Sequence, residues 1–397
     1  MDQPLPHVVW LPGHEILLPD AARAENCYVW DSKGKKYLDL ESGVWCTSVG
    51  HNHPRLRRVM LEQSAQIAHT GFNYGSGVVE EASLEILELL GFRDGACAFL
   101  CSGSEAVEYG VRTAQSLTDR PLLMTMADSY FGAYGSAASQ ARDEWYSFDW
   151  FPCENCDRDD CNEDCEHWAA IPFDRIGGFL LEPGSSSGLV RFPPEGLIRS
   201  IVNAIRAARG LILVNEVTTG IGRTGRWFGH QHYSFTPDIV AMGKGIGGGY
   251  PVAVTAFNRD VKQLMGGPIK YAQSHQNDPL GAAIARETIR IIDEDGLIER
   301  GREIGEQFLA GLRAIGERVR SVKAVRGRGL MAAVELHDND ATEYTIRVHR
   351  RTFERGFLIG RRAGFSVLRL DPSLTIDPAD IARFLSEFEE VLEEEGT

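Results

Sequence analysis

The sequence predicts an α/β fold with a mostly parallel sheet and a smaller α+β region beside it. Two observations carry this prediction. Between residues 96 and 257 short, nearly continuous apolar runs alternate with helical patterns, and from about residue 285 long helical stretches take over. Strands buried on both faces read as unbroken apolar runs. Their alternation with helices places a ligand crevice at the carboxyl ends of the strands.

The strand candidates are ACAFLC (96–101), PLLMTM (121–126), IGGFLLEP (176–183), GLILVNEV (210–217), DIVAMG (238–243) and PVAVTAF (251–257). Between them, Val107, Val111, Ala114 and Leu117 form one helical stripe, and Leu197, Ile201, Ile205 and Ala208 form another. Beyond residue 285 one long helix is expected through IIDEDGLIERGREIGEQFLAGLRAI. A strand in LMAAVEL, a helix near TIRVHRRTFERG, the run SVLRL and a final helix in PADIARFLSEFEEVLEEE follow. The expected organisation is an N-terminal segment, 1–50, that packs with the small domain, then a large domain, 51–290, and a small domain, 291–397.

A chain of 397 residues, 43% of them hydrophobic, can bury a large core. Its net charge of −15 argues against nucleic acid or an anionic membrane as partner, because both would repel it. The start, MDQPLPHVVWLPGHEILLPD, has no basic stretch leading into an apolar one, so no secretory leader is expected. No apolar run approaches the roughly 20 residues that cross a bilayer. A cytoplasmic protein is the expectation, and there its eight cysteines would be thiols or metal ligands rather than disulfides.

Chemistry gathers at the strand ends. Ser102 and Glu105 of SGSEA form a capping pattern that opens a helix, and its first turn, at Gly103 and Ser104, is a candidate phosphate cradle. Tyr130 and Phe131 follow PLLMTM, where a ring can stack on a planar ligand or close the core. AMGKGIGGGYP (241–251) sets Lys244 among glycines. It is no phosphate loop: Gly245 follows the lysine where serine or threonine is required, and Asp238 stands at the first glycine position. A nucleophilic amine approached closely by a flat ligand is the remaining functional alternative to a solvated lysine. GIGRTG (220–225) matches a dinucleotide fingerprint in form only, since no amphipathic helix follows it. The histidine pairs in HNHP (51–54) and GHQH (229–232) lack further ligands nearby and read as structural.

Together these stretches resemble the class III aminotransferases, pyridoxal 5′-phosphate enzymes of fold type I. The resemblance runs from YLDLESGVWCTSVGHNHP to LRLDPSLTI and is most specific in LVNEVTTGIGRTGRWFGHQHYSFTPDIVAMGKGIGGGYPVAV. It implies a large domain with a mostly parallel seven-stranded sheet, and transfer of an amino group between an amino acid or amine and a 2-oxo acid. By resemblance, Lys244 forms the Schiff base with the cofactor aldehyde and afterwards moves the substrate proton. Gly103 and Ser104 hold the phosphate, Tyr130 stacks on the ring, Glu182 lies near the substrate, and Arg369 clamps the substrate carboxylate. Ser274 falls where a threonine usually reaches the phosphate of the neighbouring subunit, which implies a homodimer.

Four positions depart from the family pattern. Asn215 replaces the aspartate that pairs with the protonated ring nitrogen, and each pKa unit lost there is worth about 1.4 kcal/mol. Thr218 replaces a glutamine near the cofactor's phenolic oxygen. Ser187 replaces a glutamate that in some members faces the carboxylate-binding arginine. SHQNDP replaces T-x-G-G-N-P. Asn215 favours, as alternative chemistry, racemisation, epimerisation or lyase action on the same scaffold. A non-catalytic protein that keeps the pocket is a third possibility, opposed by the retention of Lys244, Glu182 and Arg369.

The insert CENCDRDDCNEDCEHW (153–168) has no counterpart in the family pattern. Cys153, Cys156, Cys161 and Cys165 offer four soft ligands, which suits structural zinc. An iron–sulfur cluster uses the same ligands with other spacings, and metal-free thiols are the third option. The acidic residues around them, Asp157, Asp159, Asp160, Glu163 and Asp164, read as a solvated face.

Overall fold

The structure is a computed structural model and describes residues 5, 7–10, 14–156, 160–266, 271–338 and 342–396. Asp157 and Asp159 of the insert lie outside the described residues. The chain opens with β1 (Ala21–Glu25), β2 (Tyr28–Asp31) and β3 (Lys36–Asp39), then α1 (Pro54–Gln66) and α2 (Gly77–Leu90). The central alternation gives β4 (Ala96–Leu100), α3 (Gly103–Ser116), β5 (Leu122–Met126), β6 (Trp145–Phe148), β7 (Ile176–Leu181), α4 (Glu195–Ala207), β8 (Leu211–Asn215), β9 (Ile239–Met242) and β10 (Ala253–Phe257).

These seven strands form one sheet in the order β4-β10-β9-β8-β7-β5-β6. All six sequence-derived strand candidates are in it. The seventh, β6, is a four-residue edge strand with half-exposed residues, too short to give an apolar run. β10 runs antiparallel to both β4 and β9, and the remaining pairs are parallel. Two successive reversals return β4 to the direction of β9. The carboxyl ends of β4, β5, β7, β8 and β9 therefore lie along one edge of the sheet. Burial follows the apolar runs: every residue of β5, β7, β9 and β10 is buried. Leu197, Ile201 and Ile205 of α4 close one face over β7 and β8.

The single long helix expected beyond residue 285 is two helices, α5 (Pro279–Glu294) and α6 (Leu297–Arg318). The break falls at Gly296, whose φ of +60° is left-handed and ends helical continuity. The buried face changes across the break, from Ile284, Ile291 and Ile292 in α5 to Leu297, Ile304 and Phe308 in α6, and the run DEDG (293–296) interrupts the apolar stripe, a signal that the expectation of one helix passed over. Then come β11 (Val322–Arg328), β12 (Met331–Leu336), α7 (Glu343–Glu354), β13 (Phe357–Leu358), β14 (Gly360–Arg361), β15 (Val367–Leu370) and α8 (Pro378–Glu395). One four-stranded sheet has the order β11-β12-β15-β14, and the other β1-β2-β3-β13. In the second, Leu38 and Asp39 of β3 pair in parallel with Phe357 and Leu358 of β13, which ties the N-terminal strands to the C-terminal region. No described helix is long and apolar enough to cross a membrane.

Candidate active site

The strand ends open into a cavity of about 850 Å³ lined by Trp45, Gly103, Ser104, Tyr130, Asn215, Thr218, Lys244 and Arg369 among others. Lys244 directly follows β9 and Gly243, and takes a left-handed φ of 45°. A Cβ on Gly243 would stand a tight 3.3 Å from both Gly103 Cα and Val217 Cγ1, so glycine there favours the close approach of the lysine strand end to α3. The Lys244 ammonium lies 4.6 Å above the Trp45 ring. Burial lowers its pKa from 10.5 to about 8, against the opposing pull of Cys46 and Glu182.

At the end of β4, Ser102 caps α3. Its hydroxyl accepts from Glu105 N at 3.3 Å, while Glu105 Oε2 accepts from Ser102 N at 2.9 Å. The cap turns the chain so that Gly103 and Ser104 present the first helical turn to the cavity. A Cβ on Gly103 would lie 2.7 Å from Val217 Cγ1, so the close approach requires glycine. Ser104 Oγ accepts from Ala133 N at 3.0 Å and fixes the loop after β5.

That loop carries Tyr130, which is 48% exposed at the cavity wall. Its backbone is held from two sides: its N–H donates to Glu182 Oε2 at 3.1 Å, and its carbonyl accepts from Asn215 Nδ2 at 3.1 Å. Glu182, just beyond β7, is buried and also receives the Ser186 hydroxyl. Burial drives its pKa up from 4.5 to about 8, and the Ser186 and Tyr130 hydrogen bonds only partly offset this. Asn215 ends β8, and its Oδ1 accepts from Val217 N at 3.1 Å. Thr218 Oγ1 and Ser187 Oγ are buried at the cavity without hydrogen-bond partners.

Arg369 enters from β15. Its guanidinium stacks 4.1 Å above the Trp45 ring and reaches Glu41 Oε1 at 3.2 Å. Lys244, Glu182, Asn215, Thr218, Tyr130, Gly103, Ser104 and Arg369 thus converge. Ser274 does not: it is exposed and does not line this cavity.

Sequence reasoning missed Glu41, Trp45 and Arg362, which also line the cavity. Nothing in their local pattern marks them, because they come from an irregular turn and a loop brought in by the C-terminal region. It also missed Glu216, a buried carboxylate next to Asn215. Burial alone would raise its pKa, but His230 and Thr219 reverse the sign and hold it below 4.5. Its oxygens accept from Thr219 Oγ1 at 2.6 Å, Gly229 N at 2.8 Å and His230 N at 2.8 Å, and His230 Nδ1 lies 2.8 Å away. His51 pairs with Asp39 at 2.7 Å, and His232 meets the Thr224 carbonyl at 3.1 Å, so these histidines have protein partners.

In the cysteine insert, all four sulfurs are free thiols, and Cys153, Cys161 and Cys165 pack on the core around Trp150 and Trp168. The Cys153 thiol is pushed up to about 11 by burial and then by Cys161, Cys165 and Cys156. Among the described residues the donor trio closed to within 4.8 Å is His69, His275 and Asp278, not these cysteines.

The family model for class-III aminotransferases matches residues 12–392. The chain belongs to that family. It is similar to the leucine/methionine racemase of Thermococcus litoralis, 27% identical over 94% of this chain and 90% of that protein. It is also 30% identical to the acetylornithine aminotransferase of Mycobacterium tuberculosis over 94% of this chain and 91% of that protein. Among solved structures, an aminotransferase of Bacillus anthracis superposes with a TM-score of 0.87 at 25% identity, covering 98% of this chain and 96% of that one. For a class-III aminotransferase the expected cofactor is pyridoxal phosphate. The cavity suits it: a buried amine of lowered pKa, a glycine-opened helix N-terminus, and an orphaned Thr218 hydroxyl where a polar ligand atom would satisfy it.

Proposed function

We propose that this aminotransferase moves an amino group between an amino acid or amine and a 2-oxo acid, with Lys244 as the covalent and proton-transferring residue. The observation that carries this reading is the buried Lys244 amine, whose pKa near 8 leaves about a tenth of it neutral at pH 7. When bound, the cofactor supplies an aldehyde for amine exchange and a ring that withdraws electrons. Gly103 and Ser104 at the start of α3 would hold its phosphate. Tyr130 would cover its ring and Thr218 would meet its phenolic oxygen. Arg369 would orient the substrate carboxylate, and Lys244 would take a proton from the substrate carbon and return it. Glu182, neutral at pH 7 because its pKa is near 8, adds no second negative charge beside the substrate. Incubating the holoenzyme with a panel of amines and amino acids, each followed by its cofactor absorbance, tests the reading. Conversion to the amine form by at least one donor is expected, and no conversion by any of them overturns it.

Asn215 favours a second reading, racemisation or epimerisation, with lyase action in the same class. The Asn215 oxygen is taken by Val217 N–H and one amide hydrogen by the Tyr130 carbonyl, so the amide cannot turn over. One N–H of this cavity-lining residue is left, a donor suited to an unprotonated ring nitrogen. A ring left uncharged withdraws fewer electrons. The name of the Thermococcus relative, a racemase, points the same way. Keto-acid production separates the two readings, since racemisation yields none.

The working unit in this reading is a cytoplasmic homodimer. Phe72 and Tyr74, 69% and 74% exposed, are apolar surface for a second copy to cover, and Ser274 is exposed and outside the lining of its own cavity. The cysteine insert is read as holding one structural zinc, supported by four soft donors within residues 153–165 and the burial of Cys153. Metal analysis of purified protein should find one zinc per chain. Finding neither zinc nor iron removes the metal.

A further inference from the structure

Arg369 already holds an anion. Glu41 sits between β3 and a turn, Ser42 to Trp45, in which four successive residues have φ of 44°, 56°, 57° and 66°. That left-handed turn presents the Trp45 ring to Arg369 and sets Glu41 Oε1 3.2 Å from Arg369 Nη2. Gly360 of β14 leaves room for the pair: a Cβ there would lie 2.8 Å from Arg369 Nη2 and 3.2 Å from Glu41 Oε1. The position where the family pattern offers a glutamate to this arginine holds Ser187, whose hydroxyl has no partner. Negative charge near Arg369 comes instead from the buried Asp371, two residues on, and from Glu41 of the N-terminal segment, which makes the hydrogen bond to the guanidinium.

The contact is one that can be exchanged. It is a single hydrogen bond, whereas a free carboxylate can accept two parallel N–H groups from a guanidinium. Burial holds the Glu41 carboxyl above the usual carboxylate range, and Asp39 and Asp371 add to this against the pull of Arg369. Its side chain is 31% accessible, against 10% for Arg369, so the glutamate can leave while the arginine stays.

We propose that Glu41 is a specificity-determining residue, occupying the anion position of Arg369 until the carboxylate of a substrate displaces it. Glu41 thereby raises the KM of carboxylate-bearing substrates and leaves amines without a carboxylate unaffected. This rests on Arg369 acting as the carboxylate site in the reading above.

The test compares wild-type holoenzyme with Glu41→Gln, using butyrate and butylamine as probes and the bound cofactor's absorbance as the signal. Butyrate should bind on the order of tenfold more tightly to Glu41→Gln, and butylamine equally to both proteins. Glu41→Asp, which keeps the charge, should behave as the wild type or lie between the two. For an amino-acid donor, KM should fall with kcat unchanged. An unchanged butyrate constant, or equal shifts for both probes, overturns the proposal. If no amino acid is turned over but butyrate still discriminates the variants, the catalytic reading fails and the role of Glu41 stands.

Discussion

Asn215 and Lys244 stand at the ends of neighbouring strands, and between them they decide what the site can do. Because Asn215 is locked by Val217 and Tyr130, Asn215→Asp should add a charge at a fixed position rather than a mobile one. The variant should run the first half-reaction with an amino donor on the order of tenfold faster, the effect of about one pKa unit at the ring nitrogen. Identical cofactor spectra and identical half-reactions would show that the position is indifferent. Lys244 predicts a second profile. Loading of apoprotein with pyridoxal phosphate needs the neutral amine, so its rate should rise about tenfold per pH unit below 8 and level off above it. A flat profile from pH 6 to 9 contradicts a lowered lysine. Glu182 gives the third. Its folded pKa is raised, so the folded state holds a proton that the unfolded state loses between pH 4.5 and about 8. Its contribution to stability is complete below pH 4.5 and is lost as pH rises through 8. The stability difference between wild type and Glu182→Gln, read from urea midpoints, should shift toward the variant across that window. Parallel profiles would refute the shift.

The elements explain why some of this was legible in the sequence and some was not. Strand ends were readable because β4, β5, β7, β8 and β9 are apolar runs, and the residue after each run is where side chains can face a ligand. Ser102 and Glu105 announced α3 by their spacing alone. The turn at Ser42 to Trp45 could not be read. Left-handed backbone costs L-residues roughly 1–2 kcal/mol each, and Val44 and Trp45 do not favour it. What holds it is Asp39 Oδ1, which accepts from Glu41 N and Ser42 N, the bond from Arg223 to the Ser42 hydroxyl, and the contacts of Trp45 with Lys244 and Arg369. Gly296 is the converse case, a break marked by the run DEDG (293–296) and by a change of buried face, which the expectation of one long helix passed over. Gly296→Ala meets no atom within 4 Å, so its cost isolates the left-handed backbone. The variant should lose about 1 kcal/mol by urea unfolding with the slope unchanged, and a neutral result would contradict that geometry at the α5–α6 junction.

Across the whole molecule, the site depends on sequence-distant parts meeting. The β3–β13 pairing joins residues 38–39 to 357–358, and the Glu41–Arg369 contact lies just beyond it. The large sheet supplies the lysine, while the N- and C-terminal regions together supply Glu41, Trp45 and Arg369 at the cavity. Sequence reading expected the N-terminal segment against the small domain but could not place the individual contacts, which is why Ser187 looked like a loss of charge until Glu41 was seen opposite Arg369. All of it presupposes a covalent link at Lys244. Borohydride reduction of the holoenzyme followed by peptide mass spectrometry measures that link directly. The account predicts a reduced pyridoxyl phosphate adduct on the peptide carrying Lys244. An adduct on another lysine, or none in protein that has taken up the cofactor, would contradict it.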